Sequence, residues 1–186
     1  MLIIMSGSAG VGKNTIINRL LAEYANLELM TTVSTREMRK GESQGKPYFF
    51  VSREEFERMI ADDEMVEYSA IHGNLYGTNK KLLEEKLKSG KVLIKDIDVE
   101  GTLKLIKILP DVVPFYLKPK NKEQLIERLI ERGEKEIELR LKRYDYEEKM
   151  SKHYKYVLIN DNLEETLASI KEIILREAKQ RGLRLF

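Results

Sequence analysis

The 186 residues are 42% apolar and 34% charged, enough for one domain with a full core and at most a small insertion. Lys+Arg 33 against Asp+Glu 31 leaves a formal charge of +2, which argues against a general nucleic-acid binder and confines any basic site to a local cluster. Zero cysteines exclude disulfides and thiolate zinc sites, and two isolated histidines argue against an imidazole-built metal site.

No apolar run approaches the roughly 20 residues of a bilayer span. The N-terminal run, Met1 to Met5, is too short for a signal peptide, so the chain reads as cytoplasmic. That run has the length of a buried strand and leads directly into Gly7-Ser8-Ala9-Gly10-Val11-Gly12-Lys13-Asn14-Thr15. Ile16, Ile17, Leu20, Leu21 and Tyr24 then predict an amphipathic helix over 13–25. Strand, glycine-rich loop and helix in this order are the context in which G-x-x-x-x-G-K cradles a polyphosphate with backbone N–H groups. The helix start adds its positive dipole end, and Lys13 would reach the outer phosphates.

Residues 27–33 read as a second strand, followed by a polar, turn-rich loop to Pro47. Tyr48 to Val51 is a short strand, and Ser52 with Glu55 forms a capping box opening a helix to about Ala61. Residues 65–71 and 75–78 read as strands around a His72-Gly73-Asn74 turn, so that 40–78 resembles a small antiparallel insertion. After a helix over 79–88, capped by Gly90, an apolar strand over 92–98 ends in Asp96-Ile97-Asp98. A helix over 101–109 stopped by Pro110, a strand over 112–117, helices over 122–131 and 138–152, a strand over 156–159 and a last helix from Leu163 complete the chain. Alternating strands and helices predict an α/β fold, with a parallel sheet covered on both faces and ligands at the C-terminal strand ends.

Asp96 and Asp98 close their strand with side chains on one side, where a P-loop protein keeps the carboxylate that orients Mg²⁺. The alternative for Asp98 is a helix N-cap. Arg36 and Arg39, with Tyr48 and Tyr76, supply two guanidiniums and two phenols able to encircle one phosphate monoester, or else a solvated basic loop. Arg128, Arg132 and Arg140 surround a glycine-bearing break between two helices, as a phosphoryl-transfer lid needs. Exposed helix-face arginines would read the same way.

These pieces resemble the guanylate kinase family along nearly the whole chain. The resemblance is carried by Gly7 to Thr15, Thr35-Arg36-x-x-Arg39-x-Gly41-Glu42-x-x-Gly45, Tyr48 to Ser52, Glu64 to Tyr68, His72 to Thr78, Asp96 to Gly101 and Asn160 to Glu164. It implies a P-loop nucleoside monophosphate kinase fold: a five-stranded parallel core (1–33, 79–127, 153–186), a GMP-binding insertion (34–78) and a helical lid (about 128–152). It also implies ATP + GMP ⇌ ADP + GDP with Mg²⁺. Arg36, Arg39, Tyr48 and Tyr76 would then hold the GMP phosphate, while Thr32, Glu67, Thr78 and Asp98 surround the guanine. Residues 7–15 would bind ATP, with Asn160 and Asp161 near the adenine. Lys13, Arg128, Arg132 and Arg140 would serve the transferred phosphoryl.

Base choice follows from hydrogen-bond inventory: Glu67 would accept from guanine N1–H and N2–H₂, and Thr78 would donate to O6. Adenine would leave partners unpaired at about 1–3 kcal/mol per buried group. ATP and GMP would be the partners, with no nucleic acid or membrane expected from the near-neutral charge and the short apolar runs, in a monomer or small homo-oligomer that the sequence does not decide between. The chain departs from the family pattern at several positions. Asn14 replaces the Mg²⁺-touching hydroxyl, so the ion would be held by Asp96, Asp98 or Asn14, chiefly through water. Thr32 replaces a Ser, Pro47 precedes Tyr48, Glu100 replaces a Gln, and Lys95 charges an otherwise apolar strand. The 132–140 lid is a few residues short. Two other readings are a kinase for another acceptor, such as dGMP or a phosphorylated sugar, and a non-catalytic phosphopeptide-binding module. A binding module has no need to keep Gly12-Lys13 and Asp98, and this chain keeps them.

Overall fold

In the computed structural model every residue is described except Lys40, Pro47, His72 and Pro110. The Pro47 departure, the His72 end of the 72–74 turn and the Pro110 helix stop therefore lie outside the described residues. The elements run β1 (Leu2–Gly7), α1 (Lys13–Glu23), β2 (Leu27–Leu29), β3 (Thr32–Ser34), β4 (Tyr48–Phe50), α2 (Arg53–Ala61), β5 (Met65–Ile71), β6 (Asn74–Asn79) and α3 (Lys80–Lys88). Then follow β7 (Val92–Asp96), α4 (Val99–Ile108), β8 (Val112–Lys118), α5 (Lys122–Glu131), α6 (Ile137–Met150), a single 3₁₀ turn (Ser151–His153), β9 (Tyr156–Ile159) and α7 (Leu163–Gln180).

Five strands form a wholly parallel sheet in the order β2-β7-β1-β8-β9, with β1 at its centre. The apolar run at residues 2–5 suits that place because both of its faces are covered. Ile3 and Met5 enter one core with Ile16, Leu20, Ile170 and Ile174, while Leu2 and Ile4 enter another with Leu83, Leu93 and Leu105. Burying side chains on both faces at about 1.5–3 kcal/mol each makes this strand the anchor of the fold. Among the described residues no helix is long and apolar enough to cross a membrane.

Two expectations are corrected. The strand expected over 27–33 is two strands in two sheets. Met30 follows the first, its N–H donating to the Ile94 carbonyl at 2.8 Å and its side chain buried in the second core. From Thr32 the chain has left the main sheet, and β3 becomes one of the two inner strands of a second one ordered β4-β3-β6-β5. That sheet is mixed rather than antiparallel. β3 pairs parallel with β4, Thr32 beside Tyr48 and Ser34 beside Phe50, and only the β3–β6 and β5–β6 pairs are antiparallel. Val33, Phe56, Met65 and Leu75 form its own small core under α2.

Candidate active site

Register places the chemistry. Met5 pairs with Asp96 and Gly7 with Leu117, so the glycine loop leaves the sheet beside the C-terminal end of β7. Gly12 takes a left-handed conformation (φ +100) at the N-terminus of α1, and a Cβ there would lie 2.6 Å from Asn160 Nδ2. Only glycine permits both the turn and that approach. The Asn160 amide donates to the Val11 carbonyl at 2.7 Å and so buttresses the loop from behind. The first turn of α1 has no side-chain cap, leaving its N–H groups available to an anion. The Lys13 ammonium folds back onto the Gly7 and Ser8 carbonyls at 2.6 and 3.3 Å.

Two cavities flank this loop. An outer one of about 510 Å³ is walled by Ala9, Gly10, Gly12, Lys13, Asn14 and Thr15, and across from them by Arg128, Arg132, Glu134 and Arg140. An inner one of about 440 Å³ lies between the two sheets, lined among others by Gly7, Thr32, Tyr48, Glu67, Tyr76, Lys95 and Asp98. Ala9, Lys13, Asp96 and Arg140 line both. Asp96 is exposed where the two cavities meet, yet the surrounding protein still raises its carboxyl pKa, with Lys13 pulling it down and Asp98 pushing it up.

Of the residues expected around the phosphate monoester, the structure joins Arg36, Tyr48 and Tyr76. The Arg36 guanidinium lies 5.2 Å over the Tyr48 ring, and the two tyrosine rings meet edge-on at 5.7 Å. Burial raises the Tyr48 phenol, keeping it a proton donor at neutral pH. Arg36 is held by Glu42 through two bonds of 2.8 and 3.0 Å, and Glu42 also accepts from the Arg39 backbone N–H. Arg39 itself is exposed, and neither arginine lines the inner cavity.

Thr32, Glu67 and Asp98 line the inner cavity, but Thr78 does not. It is wholly buried, its hydroxyl donating to Glu67 Oε1 at 2.5 Å. The Thr78 proton expected at O6 is in this structure directed at the Glu67 carboxylate. Asp98 is the N-cap of α4, its Oδ1 accepting from the Gly101 N–H at 2.8 Å, while Oδ2 stands 3.7 Å from Arg143. The alternative N-cap reading of Asp98 thus holds, although the residue also faces the cavity. Asn160 and Asp161, expected near adenine, line neither cavity. Asp161 is engaged by Lys120 and Gln124 at 2.9 and 2.7 Å. Ser8 and Val11 turn inward and are buried.

Several cavity residues escaped the sequence reading. Ser69 and Ile71 follow Glu67 at alternate positions of β5, a period of two that places them on its face. Arg143 and Glu147 project from α6 as an i, i+4 pair at 3.7 Å, and burial raises the Glu147 carboxyl. Lys95 is the most unexpected, since its ammonium lies 3.3 Å from Glu67 Oε1 and also donates to Thr78 Oγ1.

A glycine loop closing β1, a parallel sheet around it and two cavities meeting at its lysine define a P-loop nucleoside monophosphate kinase fold. Known proteins agree. The family described as guanylate kinase matches residues 1–177. The chain is 37% identical to the guanylate kinase of Novosphingobium aromaticivorans, over 98% of its own length and 86% of that relative's. With the guanylate kinase of Halalkalibacterium halodurans it shares 39%, over 97% and 90%. The crystal structure of guanylate kinase from Anaplasma phagocytophilum superposes with a TM-score of 0.76 at 32% identity, covering 95% of this chain and 85% of that one. The chain belongs to the guanylate kinase family.

Proposed function

We propose that this enzyme transfers the γ-phosphoryl group of ATP to GMP, giving ADP and GDP. The observation that carries the reading is the meeting of the two cavities at Ala9, Lys13, Asp96 and Arg140. A donor triphosphate in the outer cavity and an acceptor monophosphate in the inner one bring their reacting oxygens together there. Three parts divide the work: the parallel core with the loop, the second sheet as acceptor site, and residues of about 128–152 as lid.

The acceptor phosphate is already a dianionic nucleophile, so no strong base is needed. Catalysis is alignment and charge. Arg36, Arg39, Tyr48 and Tyr76 clamp the acceptor phosphate, and Glu67 with Thr32 and Asp98 surrounds the guanine. Arg36 Nη2, which donates to both Glu42 carboxylate oxygens, exchanges them for phosphate oxygens, a swap of one set of charged hydrogen bonds for another. Lys13 leaves the loop carbonyls for the outer phosphates, and Arg128, Arg132 and Arg140 close over the migrating charge and exclude water. Mg²⁺ fits the donor set: no group of three or more acidic or imidazole side chains gathers among the described residues, yet Asp96 and Asn14 offer oxygens beside the loop. One carboxylate, substrate phosphate and several waters are the kind of ligands this ion takes, with the Asn14 amide reaching it through water. When bound, it neutralises charge on the transferring phosphoryl. The composition and the free-nucleotide substrates support a cytoplasmic monomer or small homo-oligomer that needs neither nucleic acid nor membrane.

The test is a coupled assay with ATP, Mg²⁺ and a panel of monophosphates. GMP-dependent ADP release with AMP, CMP and UMP silent is the expected result, and no turnover with any acceptor refutes the reading.

A further inference from the structure

Lys95 sits on the face of β7 that also carries the buried Leu93, and it is itself 3% exposed. An ammonium among aliphatic side chains is costly unless partnered, and its partners come from the other sheet: Glu67 on β5 and Thr78 on β6. Burial lowers its pKa while the Glu67 carboxylate opposes that shift. The proton count is settled by chemistry. Paired with the Glu67 carboxylate at 3.3 Å, Lys95 is an ammonium and can only donate, so the Thr78 hydroxyl accepts from it and spends its own proton on Glu67. Thr78 has nothing left to donate and does not line the cavity. Lys95 lines it, with two N–H groups committed and the third without a partner among the described residues.

Building on the GMP reading above, we propose that Lys95 is the specificity-determining donor for the 6-oxygen of the acceptor purine, in the place where a threonine hydroxyl would otherwise serve. The inner cavity then presents guanine with a carboxylate acceptor and, directly beside it, a donor-only ammonium. Guanine's N1–H and N2–H₂ meet the first and its O6 the second. The difference from a hydroxyl appears with adenine. A hydroxyl rotates and accepts from the 6-amino group, whereas an ammonium has no lone pair and faces that amine with its own hydrogens. Lys95 rejects adenine as well as recognising guanine.

A purely structural Lys95, present only to neutralise Glu67, would lower all acceptor turnover alike. Changing the atom it reads separates the two roles. In the test, kcat/KM is measured for GMP and for 6-thio-GMP, whose sulfur accepts hydrogen bonds weakly, with wild type and Lys95→Met. The wild-type preference for GMP should fall by about 10-fold or more in the variant, the size of a hydrogen bond to a charged group. The KM for ATP should be unchanged. If Lys95→Met does not fold, Lys95→Gln keeps a neutral partner for Glu67, and its carbonyl can accept from an amine. Its AMP-to-GMP ratio of kcat/KM should rise about 10-fold or more over wild type. An unchanged GMP to 6-thio-GMP ratio in Lys95→Met, or an unchanged AMP-to-GMP ratio in Lys95→Gln, overturns the proposal while leaving GMP as acceptor. Failure of wild type to phosphorylate GMP overturns both.

Discussion

Gly101 offers a way to disturb the acceptor site from behind without touching the donor site. It is the third residue of α4, and a Cβ built there would lie 2.7 Å from Ile97 Cγ2, 3.0 Å from Asp98 Oδ1 and 3.0 Å from Glu67 Oε2. Gly101→Ala has two opposed effects on stability. The helix gains about 1 kcal/mol from losing a glycine, and overpacking costs about 1–3 kcal/mol. Net destabilisation is therefore about 0–2 kcal/mol, or at most about 8 °C in Tm for a chain of this size. Function suffers more. A methyl against Oε2 pushes the Glu67 carboxylate from the position that faces the purine edge. One lost hydrogen bond to a charged group costs about 1.5–3 kcal/mol, which is a 10- to 150-fold fall in kcat/KM for GMP. Gly101 does not line the outer cavity, so the KM for ATP should stay within about 2-fold of wild type. A coupled ADP-release assay with each substrate varied, alongside thermal unfolding, reads all three quantities. An equal rise in both KM values, or an unaltered GMP value, would refute the placement of Glu67 at the acceptor base.

Further expectations separate the remaining parts of the site. Arg39→Ala should raise the KM for GMP about 10- to 100-fold and leave that for ATP and the Tm unchanged, because the side chain is exposed. Arg36→Ala should also lower the Tm, since it strips Glu42 of its ion-pair partner, and equal Tm values for the two variants would contradict this. Asn14→Ala should leave the Mg²⁺ concentration for half-maximal activity unchanged, whereas Asp96→Asn should raise it. A rise of about 10-fold in Asn14→Ala would make that amide a direct ligand. Far from the site, burial pushes the Glu177 carboxyl up, but Lys155, the Tyr156 hydroxyl and Arg181 overcome this and hold it at about 2. A depressed carboxyl stabilises the fold above its unfolded pKa of 4.5, and that stability is lost as pH falls from there towards 2. The stability gap between wild type and Glu177→Gln, measured by denaturant titration, should therefore shrink between pH 6 and pH 3. A gap independent of pH would contradict the assignment.

What could be read from the sequence was what depends on local chemistry. The apolar run before Gly7, the loop spacing and the helical period after Lys13 are short-range signals, and the structure has them as expected. The division of residues 27–34 between two sheets was not legible, because Leu27 to Val33 reads as one extended run and only long-range pairing to β7, β4 and β6 breaks it. The parallel β3–β4 pair was hidden for the same reason, since period-two patterning gives a strand but not the direction of its neighbour. In the site, Glu67 and Asp98 could be singled out by their motifs, but their partners could not. Lys95 stood out in the sequence only as a charge in an apolar strand. It takes the fold to bring β7 against β5 and β6, and only then does the Thr78 proton turn out to be spent on Glu67.

If the outer and inner cavities are the donor and acceptor halves of one site, joined at Lys13, Asp96 and Arg140, one molecule that fills both halves must displace both substrates. The most direct measurement uses an adenosine and a guanosine joined 5′ to 5′ through five phosphates, which can fill both halves at once. Steady-state kinetics and calorimetry should show one molecule bound per chain, competitive with ATP and with GMP alike and tighter than either nucleotide alone. Two molecules per chain, or competition against only one substrate, would contradict the account.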